Sequence, residues 1–288
     1  MLRKLTFFLL FCSLSATADV GGRLVSPNGG LEAQFGLDDQ GAPWFQLLAD
    51  DAPLIRPSPL GISLHNTAFV DGLELDAVSD SEAVTDRYRL WTGKRSPVEY
   101  RANRRTITLR NPDGHAVTIN FQLSNDGLAY RYEFPGTSED VRVVTAEHGG
   151  VHFFHGTRAW LQPKANAQTG WSNVNPSYEE DYLQDIPVGT PSPIESGWVY
   201  PALFRYGDTW LVVSETGMDG TFPGSNLAAE NPDGLYRIRY PQPNEVITNG
   251  KLLGEARLPF HTPWRLLLAG DLATIADSTL GTDLAEPN

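Results

Sequence analysis

Val117-Thr118-Ile119-Asn120-Phe121-Gln122-Leu123, then Ser124-Asn125-Asp126-Gly127, then Leu128-Ala129-Tyr130-Arg131-Tyr132-Glu133-Phe134: these eighteen consecutive residues decide the architecture. Apolar side chains fall on every second position of the first run, with Thr118, Asn120 and Gln122 between them. Leu128, Tyr130, Tyr132 and Phe134 continue the alternation after the turn. A period of two puts one face of a strand on a core and the other towards solvent. Asn-Asp-Gly between two such runs supplies the left-handed backbone that a tight hairpin needs. The same signal appears upstream, where Leu31, Ala33, Phe35 and Leu37 alternate with Glu32, Gln34 and Gly36. Asn111-Pro112-Asp113-Gly114 and Asn231-Pro232-Asp233-Gly234 mark further turns, and Leu235 to Tyr240 and Trp264 to Ala269 further strands. Helical periodicity is confined to Leu272–Leu280. Many short strands joined by Gly- and Pro-rich turns predict an all-β chain folded as one large sandwich. Pro187, Pro191, Pro193 and Pro201 predict an ordered loop crossing a sheet edge between Glu180 and Phe204.

The 288 residues show no internal repeat and no shift of composition, which favours one domain over 19–275. Residues 1–18 read as a signal peptide: Arg3 and Lys4, an apolar Leu5–Leu14, then Ala16-Thr17-Ala18 before Asp19. Export, periplasmic or extracellular, is the expectation. The apolar run is too short to span a bilayer. Cys12 is the only cysteine, so the mature chain would have no disulfide, thiolate nucleophile or cysteine-based metal site. A formal charge of −13, lowered two units further by loss of Arg3 and Lys4, disfavours nucleic acid and anionic membranes as partners. A neutral sugar or a bound cation is compatible with it.

Candidate chemistry concentrates between Trp160 and Asn226, which hold four of the seven tryptophans. Aromatic planes beside carboxylates suit a carbohydrate, whose C–H faces stack and whose hydroxyls donate. Trp171, Tyr178 and Trp198 are the expected platforms, and Glu179, Glu180 and Asp219 the expected polar contacts. The run Glu179-Glu180-Asp181 reads equally as a solvated acidic turn. Glu215 closes the apolar run Trp210-Leu211-Val212-Val213-Ser214 and precedes a Gly-rich turn. It reads either as one ligand of a Ca²⁺, which takes six to eight oxygens, or as a carboxylate accepting N–H bonds of its own turn. A rim position without a Lys or Arg partner is expected for the first reading. The six histidines show no metal-binding spacing, and no Walker A loop or Gly-x-Ser-x-Gly is present.

Taken in order, Trp171-Ser172, Pro176-Ser177-Tyr178-Glu179, Gly197-Trp198-Val199-Tyr200-Pro201, Ser214-Glu215-Thr216-Gly217-Met218-Asp219-Gly220 and Thr262-Pro263-Trp264-Arg265 resemble the N-terminal domain of glycoside hydrolase family 97. The resemblance runs from Val25 to Ala285 and departs from the family pattern at Thr216 and at Thr221-Phe222. It implies a β-super-sandwich similar to the galactose mutarotase fold, preceding a catalytic (β/α)₈ barrel. It implies α-linked glucosides or galactosides as substrates, and Glu215 as the sandwich's ligand to a calcium at the barrel mouth. Residues 276–288 would begin a linker to that barrel, supplied in cis or in trans, and the chain alone would be catalytically inactive with an incomplete calcium site. A stand-alone carbohydrate-binding module and a mutarotase-like sugar epimerase are the alternatives.

Overall fold

The computed structural model describes residues 19–167, 181–246 and 250–286. Its largest element is an eleven-stranded antiparallel sheet whose centre is the quoted hairpin. Ala116–Ser124 pairs with Gly127–Phe134, with Ile119 opposite Tyr132 and Phe121 opposite Tyr130. The sheet extends one way through Val98–Arg110 to Glu74–Val78. It extends the other way through Trp264–Gly270, Thr209–Thr216, Ala202–Tyr206 and Arg158–Leu161 to the edge strand Leu183–Pro187. That edge strand lies inside the proline-rich stretch read as loop. It forms because Leu183 and Ile186 supply apolar contacts to the core while the edge tolerates Pro187.

Three smaller sheets cover one face of the large one. Phe35 stacks on Phe121 at 4.3 Å between ring centres, and Phe45 packs on Tyr130 at 5.3 Å, which seats the five-stranded N-terminal sheet. Phe69 meets Phe134 edge-on at 6.0 Å from the four-stranded sheet. Phe153 stacks on Phe204 at 4.0 Å beside the three-stranded sheet, whose Tyr236 closes the same cluster. The sandwich is therefore aromatic along its whole length, and each such pair adds about 0.5–1.5 kcal/mol beyond its area.

Alternation also fixes what faces outward. On Thr209–Thr216, Leu211 and Val213 are buried in the main core, so Glu215 points to the same inner side. On Trp264–Gly270 the inner positions are Arg265, Leu267 and Ala269, each opposite its partner in the register Glu215↔Arg265, Val213↔Leu267, Leu211↔Ala269. Trp264 and Leu266 face the other way, into a second cluster with Tyr100, Ala102, Ala129, Leu280 and Leu284. Two short helices, Leu272–Asp277 and Leu280–Asp283, cover part of that outer face. Asp271 caps the first, its carboxylate accepting from the Thr274 N–H. Among the described residues no helix is long and apolar enough to cross a membrane.

Candidate functional site

Glu215 ends its strand on the inner face, and the chain reverses directly after it. Gly217 sits at φ +76, a conformation in which a side chain would be strained. The reversal brings Ser225 back onto Glu215. The Ser225 N–H donates to Oε1 at 2.8 Å, and its hydroxyl donates to Oε2 at 2.6 Å. Arg265, across the register, adds an Nη1 contact to the same Oε2. The rest of that guanidinium faces Glu147, at the end of the strand Arg142–Glu147. Nε lies 3.0 and 3.1 Å from the two carboxylate oxygens, and Nη2 lies 2.6 Å from Oε2. Three charges are thereby buried together, with side-chain exposures of 5% for Arg265, 0% for Glu147 and 8% for Glu215.

The electrostatics follow from that packing. Burial alone would lower the Arg265 pKa, but the Glu147 and Glu215 carboxylates outweigh it and hold the group well above its ordinary value. The guanidinium is charged, and its fork geometry lets one cation serve two anions. Burial pushes the phenols of Tyr200 and Tyr240 beside it above the ordinary tyrosine range. The arrangement ties three segments distant in sequence and holds the 217–225 loop against the end of its strand.

This corrects the expectation of a rim carboxylate without a basic partner: Glu215 is enclosed and ion-paired. The turn reading is met in part, since Oε1 accepts the Ser225 N–H. The residues present do not fit a calcium site on their own, because one carboxylate of the two is fully enclosed and both face a guanidinium. No group of three or more His, Cys, Asp or Glu suited to a metal occurs among the described residues. Asp219 lies apart from Glu215. Its carboxylate accepts from the Thr221 N–H at 2.8 Å and borders a cleft of about 450 Å³ with Lys251, Glu255, Phe260 and His261. Burial works to raise the Asp219 pKa, and the Thr221 bonds outweigh it and hold it below the usual carboxylate value.

Trp198 is 0% exposed, which corrects its reading as a sugar platform. Its backbone exchanges two hydrogen bonds with Leu227, at 2.9 Å each, and a ring sealed in the core presents no face to a ligand. Trp171, Tyr178, Glu179 and Glu180 lie outside the described residues. The open aromatic surface is elsewhere, on the outer face of the large sheet. There Trp160 and Trp210 lie 4.9 Å apart, with Arg205 over both. Beside them runs an apolar groove of about 630 Å³ lined by Trp160, Tyr182, Leu203, Val212, Leu266 and Leu268, and bordered by Ile275, Ser278 and Gly281 of the C-terminal segment.

Glu147 was not singled out in the sequence, and Arg265 only as the end of the run Thr262-Pro263-Trp264-Arg265, without a role. The available signal was a charge interrupting an apolar strand, as in Trp264-Arg265-Leu266-Leu267, which calls for a buried opposite charge.

Comparison with known proteins agrees with this architecture. Residues 24–287 match the family model described as glycosyl-hydrolase 97 N-terminal. A probable retaining alpha-galactosidase of Streptomyces bingchenggensis (strain BCW-1) is 29% identical over 261 residues, which are 90% of this chain and 37% of that protein. The crystal structure of a beta-arabinopyranosidase superposes with a TM-score of 0.87 at 30% identity, covering 93% of this chain and 43% of the other. A glycoside hydrolase family 97 enzyme from Pseudoalteromonas sp. strain K8, solved with acarbose, shares the fold at a TM-score of 0.76 and 20% identity, over 93% and 38%. The chain thus spans about two-fifths of the length of these relatives. With its sandwich architecture and a match over nearly all the described residues, the chain belongs to the glycosyl-hydrolase 97 N-terminal family.

Proposed function

We propose that this chain is the non-catalytic β-sandwich of an exported family 97 α-glycosidase, and that hydrolysis of α-glucosides or α-galactosides belongs to a barrel packed against it. The observation that carries the reading is the apolar groove on the outer face of the large sheet, next to the C-terminal helices. A sheet that buries one face fully and leaves an aromatic, aliphatic groove on the other is built to be covered. The inner network supports the same reading. A glycosidase needs two carboxylates about 5–5.5 Å or 6.5–9.5 Å apart with access to a sugar. Glu147 and Glu215 are instead enclosed around Arg265.

Calcium is not carried by this reading, because Glu215, the ligand that the resemblance implies, is enclosed and ion-paired to Arg265. The epimerase alternative is not supported at Glu215, which is ion-paired to Arg265.

The direct test is hydrolysis of p-nitrophenyl α-galactoside and α-glucoside by the purified chain. The rate should equal that of buffer. Turnover abolished by Glu215→Gln would overturn the non-catalytic reading.

A further inference from the structure

Where the four-stranded sheet meets the end of the large one lies a pocket of about 330 Å³. The buried Leu64, Phe69 and Phe134 and the half-buried Leu258 give it an apolar lining. The strands set their positions. Leu64 and Phe69 lie on the paired strands Ile62–Leu64 and Thr67–Phe69, and Phe134 closes Gly127–Phe134. Phe134 is itself held between rings, edge-on to Phe69 at 6.0 Å and stacked on Phe260 at 4.6 Å. Asn111, 5% exposed, ties the two sheets together beside the pocket. Its Nδ2 donates to Thr67 Oγ1 at 2.8 Å and to the Ala68 carbonyl at 3.1 Å, and its Oδ1 accepts from the His115 N–H at 2.9 Å. Walls fixed by such contacts need little rearrangement when a ligand enters.

The charged lining has one sign. No carboxylate lines the pocket among the described residues, although the chain has thirty-five acidic side chains against twenty-two basic ones. Arg110, His115 and Arg142 line it instead. Arg110 is already committed: Nη2 lies 2.7 Å from Asp76 Oδ2, and Nη1 donates to the Gly114 carbonyl at 2.8 Å. His115 Nδ1 faces the Thr67 hydroxyl at 3.3 Å. Arg142 is half-buried and has no ion-pair or side-chain hydrogen-bond partner among the described residues. A guanidinium partly withdrawn from water gains more from an incoming carboxylate than one fully solvated or already paired.

We infer that this pocket binds a small organic acid, one carboxylate on an aromatic or aliphatic body, with the carboxylate on Arg142 and the body against Phe69, Phe134 and Leu258. The volume lies near the lower end of the range for ligand pockets, which suits a single ring or short chain. Charge counting sets the number of anionic groups: one guanidinium is uncompensated, so a dianion would leave a charge unmatched. An oligosaccharide is disfavoured because no carboxylate is present to accept its hydroxyls. Any polyanion, nucleic acid or polyuronate alike, would meet the acidic remainder of the chain. A monoanion instead responds to charges within about 8 Å, where Arg142 dominates. The pocket shares no residue with the buried network or with the apolar groove, so the inference stands apart from the glycosidase reading.

The test is NMR titration of the whole chain with benzoate, benzamide and phenyl phosphate, following the backbone amides. Benzoate should bind with a Kd on the order of 1 mM or tighter, with the largest shifts at residues 64–69 and at Arg142. Benzamide keeps the ring and loses the charge, and should bind about tenfold more weakly or worse. Phenyl phosphate should bind no more tightly than benzoate. Arg142→Gln should weaken benzoate about tenfold or more, and Arg142→Lys should weaken it less because the charge remains. Thermal melts of both variants should match or exceed the parent's, since the guanidinium has no partner to lose. Absence of benzoate binding, equal binding of benzamide, tighter binding of phenyl phosphate, shifts centred outside the pocket, or undiminished binding by Arg142→Gln overturns the inference.

Discussion

Replacing Arg265 by methionine is the most informative perturbation of the core. The side chain is 5% exposed and is the cation shared by Glu147 and Glu215. Methionine keeps the apolar stem but removes the charge and every donated bond. The fully enclosed Glu147 would then have no basic partner, and Glu215 would retain only Ser225. Removing one partner of a buried pair costs about 3–5 kcal/mol, because the surviving charge stays desolvated. For a chain of this size that is a fall in Tm of roughly 5–9 °C. Thermal unfolding by circular dichroism reads it directly. Two controls separate charge from shape. The deficit should shrink on acidification, because protonated carboxyls no longer need the guanidinium. The triple variant Arg265→Met/Glu147→Gln/Glu215→Gln should recover most of the loss, since an uncharged set of similar volume carries no ionic desolvation penalty. A loss below about 1 kcal/mol in the single variant, or no recovery in the triple, would refute the assignment of the three residues as one charge-balanced unit.

Other expectations are equally specific. Trp198→Ala should lower stability by about 3–5 kcal/mol in denaturant titrations, as for a large core residue. Burial raises the Asp283 pKa above its ordinary value against the bonds it accepts from Tyr88 and Thr279. A raised folded pKa favours the folded state below the unfolded value and loses that contribution as pH rises through the folded one. Asp283→Asn should therefore stabilise the chain at neutral pH, and the gain should vanish towards acid, as melts across the carboxylate range would show. Added Ca²⁺ at millimolar concentration should leave the melting temperature of the isolated chain unchanged, because Arg265 already pairs with Glu215 and no group of three or more side chains suited to a metal occurs among the described residues.

The strands were legible because alternation is a local signal. The run 117–134 states its own pairing, and residue parity along Thr209–Thr216 already places Glu215 on the same side as Leu211 and Val213. The partner of Glu215 was not legible. Arg265 lies fifty positions away and Glu147 sixty-eight, and only the strand order brings their side chains together. Trp198 misled for a related reason. Gly197 and Pro201 mark irregular backbone, which usually means surface. Here the irregular segment is sealed by hydrogen bonds to Leu227 and by a glycine at φ +93, whose Cβ would meet the Leu227 carbonyl at 2.0 Å. The edge strand Leu183–Pro187 was hidden by the prolines around it, which an edge position tolerates.

The central claim is that the outer face of the large sheet is the surface a catalytic barrel covers. Hydroxyl-radical footprinting of Trp160 and Tyr182, in the chain alone and with a family 97 barrel supplied in trans, tests it most directly. Both residues line the groove. The account predicts that each is oxidised in the free chain and shielded when the barrel associates. Association with undiminished oxidation of both would contradict it.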